Sequence, residues 1–116
     1  MKFKLILVFV DDHQTETVVR TAREAGATGS TVVTSARGTG LLPAKTFLGL
    51  DLESQRDVIF LLVEGHLCRN MLERIAEVCR FDEDPGSGIA FQVDIEDAVG
   101  LTSQLPTIYS EIEDKI

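Results

Sequence analysis

The sequence predicts one α+β domain, a single sheet with helices packed on it, in the chain order β-α-β-loop-β-α-β. Three observations carry this. Two long apolar runs, "KFKLILVFV" and "DVIFLLV", have the character of central strands buried on both faces. After each run the apolar residues switch to helical spacing. A chain of 116 residues also leaves room for one core rather than two.

Each element has its own signal. The opening "MKFKLILVFVDD" starts basic and turns apolar, but it lacks a small-residue cleavage site and runs into Asp11 and Asp12. It therefore reads as a first strand over 2–10 and not as a signal peptide. In "HQTETVVRTAREAG", Val18, Ala22 and Ala25 recur at helical spacing, Glu16 precedes Arg20 by one turn, and Gly26 stands where a helix stops. "STVVTSA", 30–36, is β-branched and polar at alternate positions, which predicts a strand. After the strand over 57–63, Glu64 and Gly65 break the run. Leu67, Met71, Leu72, Ile75, Val78 and Cys79 then mark one face of an amphipathic helix over 66–81. "DEDPGSG" ends that helix, and "IAFQVDI" is the fourth strand. The tail, 102–116, alternates weakly and ends in acids.

Composition narrows the function. With 44% hydrophobic and 26% charged residues the chain is a folded domain, and no apolar run reaches the roughly 18 residues of a membrane span. A net charge of −8 with no basic cluster excludes a binder that works by neutralising nucleic-acid phosphates, while leaving room for a nucleotide pocket with local donors. If Cys68 and Cys79 share a helix, roughly 16 Å separates them, too far for a disulfide or a common metal. They read as buried thiols of a cytoplasmic protein.

Two segments stand out. "RGTGLLPAKTFLGLDLESQR", 37–56, is the longest expected loop, and Leu41, Leu42, Phe47 and Leu48 are unusual in a solvated one. With Lys45 they form a candidate partner-binding surface. "PGSG", 85–88, offers backbone donors unobstructed by side chains, a potential anion nest, although Asp82, Glu83 and Asp84 beside it oppose an anion. Arg37 is the cation best placed to supplement the glycines, while Lys45 and Arg56 are expected to face solvent. Asp11, Asp12 and His13 fit a helix start better than a metal cluster, and His66 also reads as a helix-start residue. No Ser-His or Cys-His pair suggests a nucleophile, so an enzyme is not expected.

The element order is that of a ferredoxin-like βαββαβ fold with both helices on one sheet face. The other face is equally apolar and the chain has no further helix to cover it. Copies of the chain are the economical cover, and a homo-oligomer follows.

"AREAGATGSTVVTSARGTG", the long loop and "DPGSGIAFQVDIEDAVGL", in that order, resemble the P-II family of nitrogen-regulatory signalling proteins, and more closely its P-II-like branch. The resemblance covers roughly residues 1 to 101. It implies a homotrimer that binds an adenine nucleotide (AMP, ADP or ATP) in clefts between subunits and regulates a partner protein through the 37–56 loop. It carries nucleotide contacts onto Thr31, Gly38, Gly40, Gly86 and Gly88, with Ser87 between the last two. One extra residue between Gly29 and Gly38, against the family's spacing, predicts a bulge or register shift that displaces Thr31. The family's phosphate-directed cations are absent: Ile89 follows the lower glycine loop, and Gly100 and Thr102 stand where two arginines are expected. Leu42 lies near the 2-oxoglutarate glutamine, and the sole tyrosine, Tyr109, is in the tail. These departures favour a less charged nucleotide over ATP with 2-oxoglutarate. The alternatives are a constitutive interaction module without a ligand, and a metal-binding trimer resembling the CutA proteins through Asp11, Asp12 or His13.

Overall fold

The computed structural model describes residues 2–36, 46–47, 50–51, 56–84 and 86–100. Four long strands, β1 (Phe3–Asp11), β2 (Gly29–Ala36), β5 (Arg56–Glu64) and β6 (Gly88–Asp94), form one antiparallel sheet in the order β2-β5-β1-β6. Helices α1 (Thr15–Glu24) and α2 (Cys68–Cys79) follow β1 and β5, each after a single turn of 3₁₀ helix. This is the ferredoxin-like architecture expected. The segment expected to be one long loop carries a two-residue strand pair, β3 (Thr46–Phe47) with β4 (Leu50–Asp51).

Period-two alternation assigns the faces. Ile6, Val8 and Val10 of β1 and Ile59, Leu61 and Val63 of β5 point toward the helices and are fully buried. They meet Val18 and Ala22 of α1 and Met71, Ile75 and Cys79 of α2 in one core. The α2 residues recur four apart, which is why the sequence pattern identified this helix.

The helix ends are set by backbone conformation. Gly26 takes a φ of +104°, and the Ala27 N–H donates to the Ala22 carbonyl at 2.9 Å, closing α1 where the sequence placed its stop. At α2 the stop comes earlier than expected. Arg80 adopts the left-handed conformation (φ 58°, ψ 43°), and the Phe81 N–H returns to the Ala76 carbonyl at 3.0 Å. The acidic turn therefore follows the helix end instead of making it.

The expected irregularity in β2 is present. Gly29 to Val33 pair regularly with β5, and the register shifts between Val33 and Ala36. Thr31 lies before the shift in regular register opposite Phe60, so the irregularity does not displace it as expected.

Candidate functional site

At one end of the sheet Ala36, Arg56 and Asp11 are aligned in a single row across β2, β5 and β1. Here the chain leaves the sheet for the 37–55 segment and returns from it. The turn before β6 sits at the same end, because Gly88 pairs with Val10.

Arg56 joins these pieces. It is only 4% exposed, which corrects the expectation of a solvent-facing cation. Its Nη1 lies 3.2 Å from Asp11 Oδ1 and donates to the Ser87 carbonyl at 3.2 Å, while Nη2 donates to the Gly86 carbonyl at 2.8 Å. The planar guanidinium suits this fan of acceptors, and burial strengthens each bond. Asp11 is thereby an ion-pair partner, with no side-chain capping bond to the turn it precedes. The next residue, Asp57, is buried on the opposite face and accepts a 2.5 Å hydrogen bond from the Thr15 hydroxyl at the start of α1. The return into β5 is thus held on both faces of the sheet.

The turn is more occupied than its sequence suggests. The Glu83 and Asp84 N–H groups donate to the Arg80 carbonyl, and the Ser87 N–H donates to the Asp84 carbonyl at 3.1 Å. The Ser87 amide is thus already spent, while the Ser87 hydroxyl is buried without a partner among the described residues. Gly86 adopts a φ of +80°, and a side chain at Gly88 would lie 2.5 Å from the Phe81 ring and 2.7 Å from the Phe9 carbonyl. Turn geometry explains the first glycine and close packing the second. The neighbouring carboxylates of Glu83 and Asp84 each lie 3.7 Å from Arg80 Nε, which offsets part of their charge.

A single subunit does not assemble all the predicted residues. Thr31 is exposed on edge strand β2, whereas Gly88 begins the opposite edge strand β6. Three strand spacings separate these edges, roughly 14 Å across the sheet before any offset along it. Arg37, Gly38, Gly40, Leu41, Leu42, Lys45 and Leu48 lie outside the described residues, and Phe47 falls in β3. Tyr109 and Thr102 also lie outside them, whereas Ile89 pairs with Phe9 on the sheet face turned away from the helices. Among the described residues no three His, Cys, Asp or Glu side chains converge to hold a metal ion.

That second face is the other large feature. Leu5, Leu7 and Phe9 of β1, Val58, Phe60 and Leu62 of β5, and Ile89, Phe91 and Val93 of β6 share it in register. All are half-buried or exposed, and neither helix covers them. Phe9 and Phe91 stack at a tilt, their ring centroids 5.9 Å apart.

Sequence reasoning missed Arg56, Asp57 and the reason for Gly88. The only available signal was that Arg56 and Asp57 directly open a strongly apolar strand, where a charge faces burial on one side or the other.

The described residues thus form a ferredoxin-like sheet with one face that neither helix covers, which the 37–55 segment leaves and rejoins beside a glycine turn. The family model described as nitrogen regulatory protein P-II matches residues 3–104, and the chain belongs to that family. Among solved structures it is similar to CPII from Thiomonas intermedia K12 bound to ADP, AMP and acetate, at 21% identity and a TM-score of 0.64, over 87% of this chain and 96% of that one. The same protein bound to ADP, AMP and bicarbonate gives 20% identity and a TM-score of 0.62, over 87% and 92%. A putative PII-like signalling protein from Thermus thermophilus gives 21% identity and a TM-score of 0.58, over 82% and 91%. No curated protein matches the chain in sequence.

Proposed function

We propose that this P-II-family protein is a homotrimeric cytoplasmic sensor. An adenine nucleotide, AMP or ADP in preference to ATP, binds between subunits, and the 37–56 segment regulates a partner protein in nitrogen metabolism or transport. The carrying observation is the division of the predicted nucleotide residues between opposite edges of one sheet. Thr31 and the Gly86–Ser87–Gly88 turn can serve one small ligand when two copies meet edge to edge, and the apolar face that neither helix covers supplies the drive for copies to meet. Adenine nucleotides bound to CPII support the ligand class. A ligand shifts the 37–56 segment only by binding one of its arrangements better than another.

Two measurements test this. The mass of the purified protein should be that of a trimer at micromolar concentration. Titration calorimetry with AMP, ADP and ATP should give heat with AMP or ADP, and heat with none of the three removes the nucleotide. A constitutive adaptor without a ligand is the second reading. It draws on the spent Ser87 amide and on the structural reasons for both glycines of the turn. Thermal shift separates the two, because a sensor melts higher with its ligand and an adaptor does not.

A further inference from the structure

We propose that Arg56 is a positioning residue, one whose guanidinium sets the orientation of the Gly86–Ser87 and Ser87–Gly88 peptides that an anionic ligand would meet. This deepens the nucleotide reading above and rests on it. A trans peptide directs its C=O and N–H to opposite sides. With the Gly86 and Ser87 carbonyls drawn onto Arg56, the Ser87 and Gly88 N–H groups must face away from it. One of those amides meets the Asp84 carbonyl, and the other belongs to the residue paired with Val10. Two adjacent peptide planes are thus fixed by one side chain, and Asp11 also holds that side chain through Nη1.

The chemistry suits this role better than a direct contact. A guanidinium that is 4% exposed and directed at two carbonyls and a carboxylate is not presented to an incoming phosphate. It acts through the turn. Its place in the chain matters as well, because Arg56 is the residue at which the 37–55 segment rejoins the sheet. Whatever moves the start of β5 pulls on the Gly86 and Ser87 carbonyls, and whatever the turn binds is transmitted to the start of β5. Arg56 is therefore the physical link between the start of β5 and the glycine turn.

The test compares wild type, Arg56→Lys and Asp11→Asn by residue-resolved amide exchange in ligand-free protein and by calorimetry with AMP and ADP. Lysine keeps the charge but cannot serve three acceptors with a planar fork. In Arg56→Lys the Ser87 and Gly88 amides should exchange about tenfold faster or more, while core amides such as Ile59 and Leu61 keep their protection. Asp11→Asn, which keeps the guanidinium and loosens its clamp, should give a smaller change at the same two amides. Nucleotide affinity should fall about tenfold in Arg56→Lys, as expected for disordering a preorganised site. Exchange at 87–88 that matches wild type overturns the proposal, as does acceleration spread equally over turn and core. Wild type that binds neither nucleotide removes the functional reading above and leaves the exchange pattern to decide the positioning role.

Discussion

The two faces of the sheet are built from the same strands and nearly the same residues, yet they end in different states. On one face Ile6, Val8, Val10, Ile59, Leu61 and Val63 are sealed under α1 and α2. On the other, Leu5, Leu7, Phe9, Val58, Phe60 and Leu62, their immediate chain neighbours, are only half-buried. The amino-acid types do not distinguish the faces, and the cover does. A face with helices over it becomes the core of one subunit. A face without them keeps apolar surface that neither helix seals, the surface through which the proposed homotrimer would assemble.

Ile59 and Phe60 adjoin in sequence on opposite faces, so they give the sharpest break in this comparison. Ile59→Ala should lower unfolding stability by about 2–5 kcal/mol in a urea titration, whatever the assembly state, because it opens a cavity in the sealed core. Phe60→Glu should leave the circular dichroism of the fold in place while reducing the mass in solution to that of one subunit. If Phe60→Glu keeps the wild-type mass, the open face is not the assembly face.

Gly88→Ala probes the rim of the covered face. The added methyl meets the Phe81 ring and the Phe9 carbonyl, and the backbone contact cannot yield as a side chain can. A loss of about 1–3 kcal/mol is expected from overpacking, read from the urea midpoint. An unchanged midpoint would mean that Phe81 swings aside freely and that Gly88 serves some purpose other than packing.

Ser87→Ala separates folding from binding at the same turn. Its hydroxyl is buried without a partner, so removing it should leave stability unchanged or raise it by about 1 kcal/mol. If the hydroxyl waits for a ligand, AMP or ADP affinity falls in this variant while stability does not.

The smallest effect expected is a pH dependence from the two thiols under the covered face. Burial pushes the Cys79 thiol up; burial also pushes Cys68 up, against a smaller opposing pull from Lys4. A raised thiol favours the folded state while unfolded thiols are still protonated. This contribution is intact below the unfolded thiol pKa of about 8.5 and is lost as pH rises above it through the folded values. The melting temperature should therefore fall between pH 8 and pH 10, and Cys68→Ser/Cys79→Ser should flatten that slope. Thiol reagents at pH 8 should modify neither cysteine until the protein unfolds, and prompt labelling of the native protein would show that the covered face is open.

The elements legible in the sequence were those whose signal is periodic and local. The spacing of Met71, Ile75 and Cys79 defined a helix face, and "DVIFLLV" defined a buried strand. Gly26 marked a stop because its left-handed backbone is a property of one residue. Arg56 had no such signal. It closes the stretch "LESQ", where the simplest expectation is solvent, and the Gly86 carbonyl to which it donates is 30 positions away. The glycines of "PGSG" were recognised, but sequence could not tell a ligand cradle from the close packing that Phe81 imposes on Gly88. The irregularity in β2 was legible only against the spacing of the family it resembles, and the strand pair within 46–51 was not legible at all.

By itself the sequence determined the alternation of strands and helices, the apolar character of both sheet faces and the family, because each depends on neighbours a few positions apart. Tertiary structure alone decided which face is sealed, where Arg56 is buried and that Thr31 stands across the sheet from Gly88. Those outcomes depend on strand order and register, which bring distant residues together or keep them apart through hydrogen bonds that no local pattern encodes.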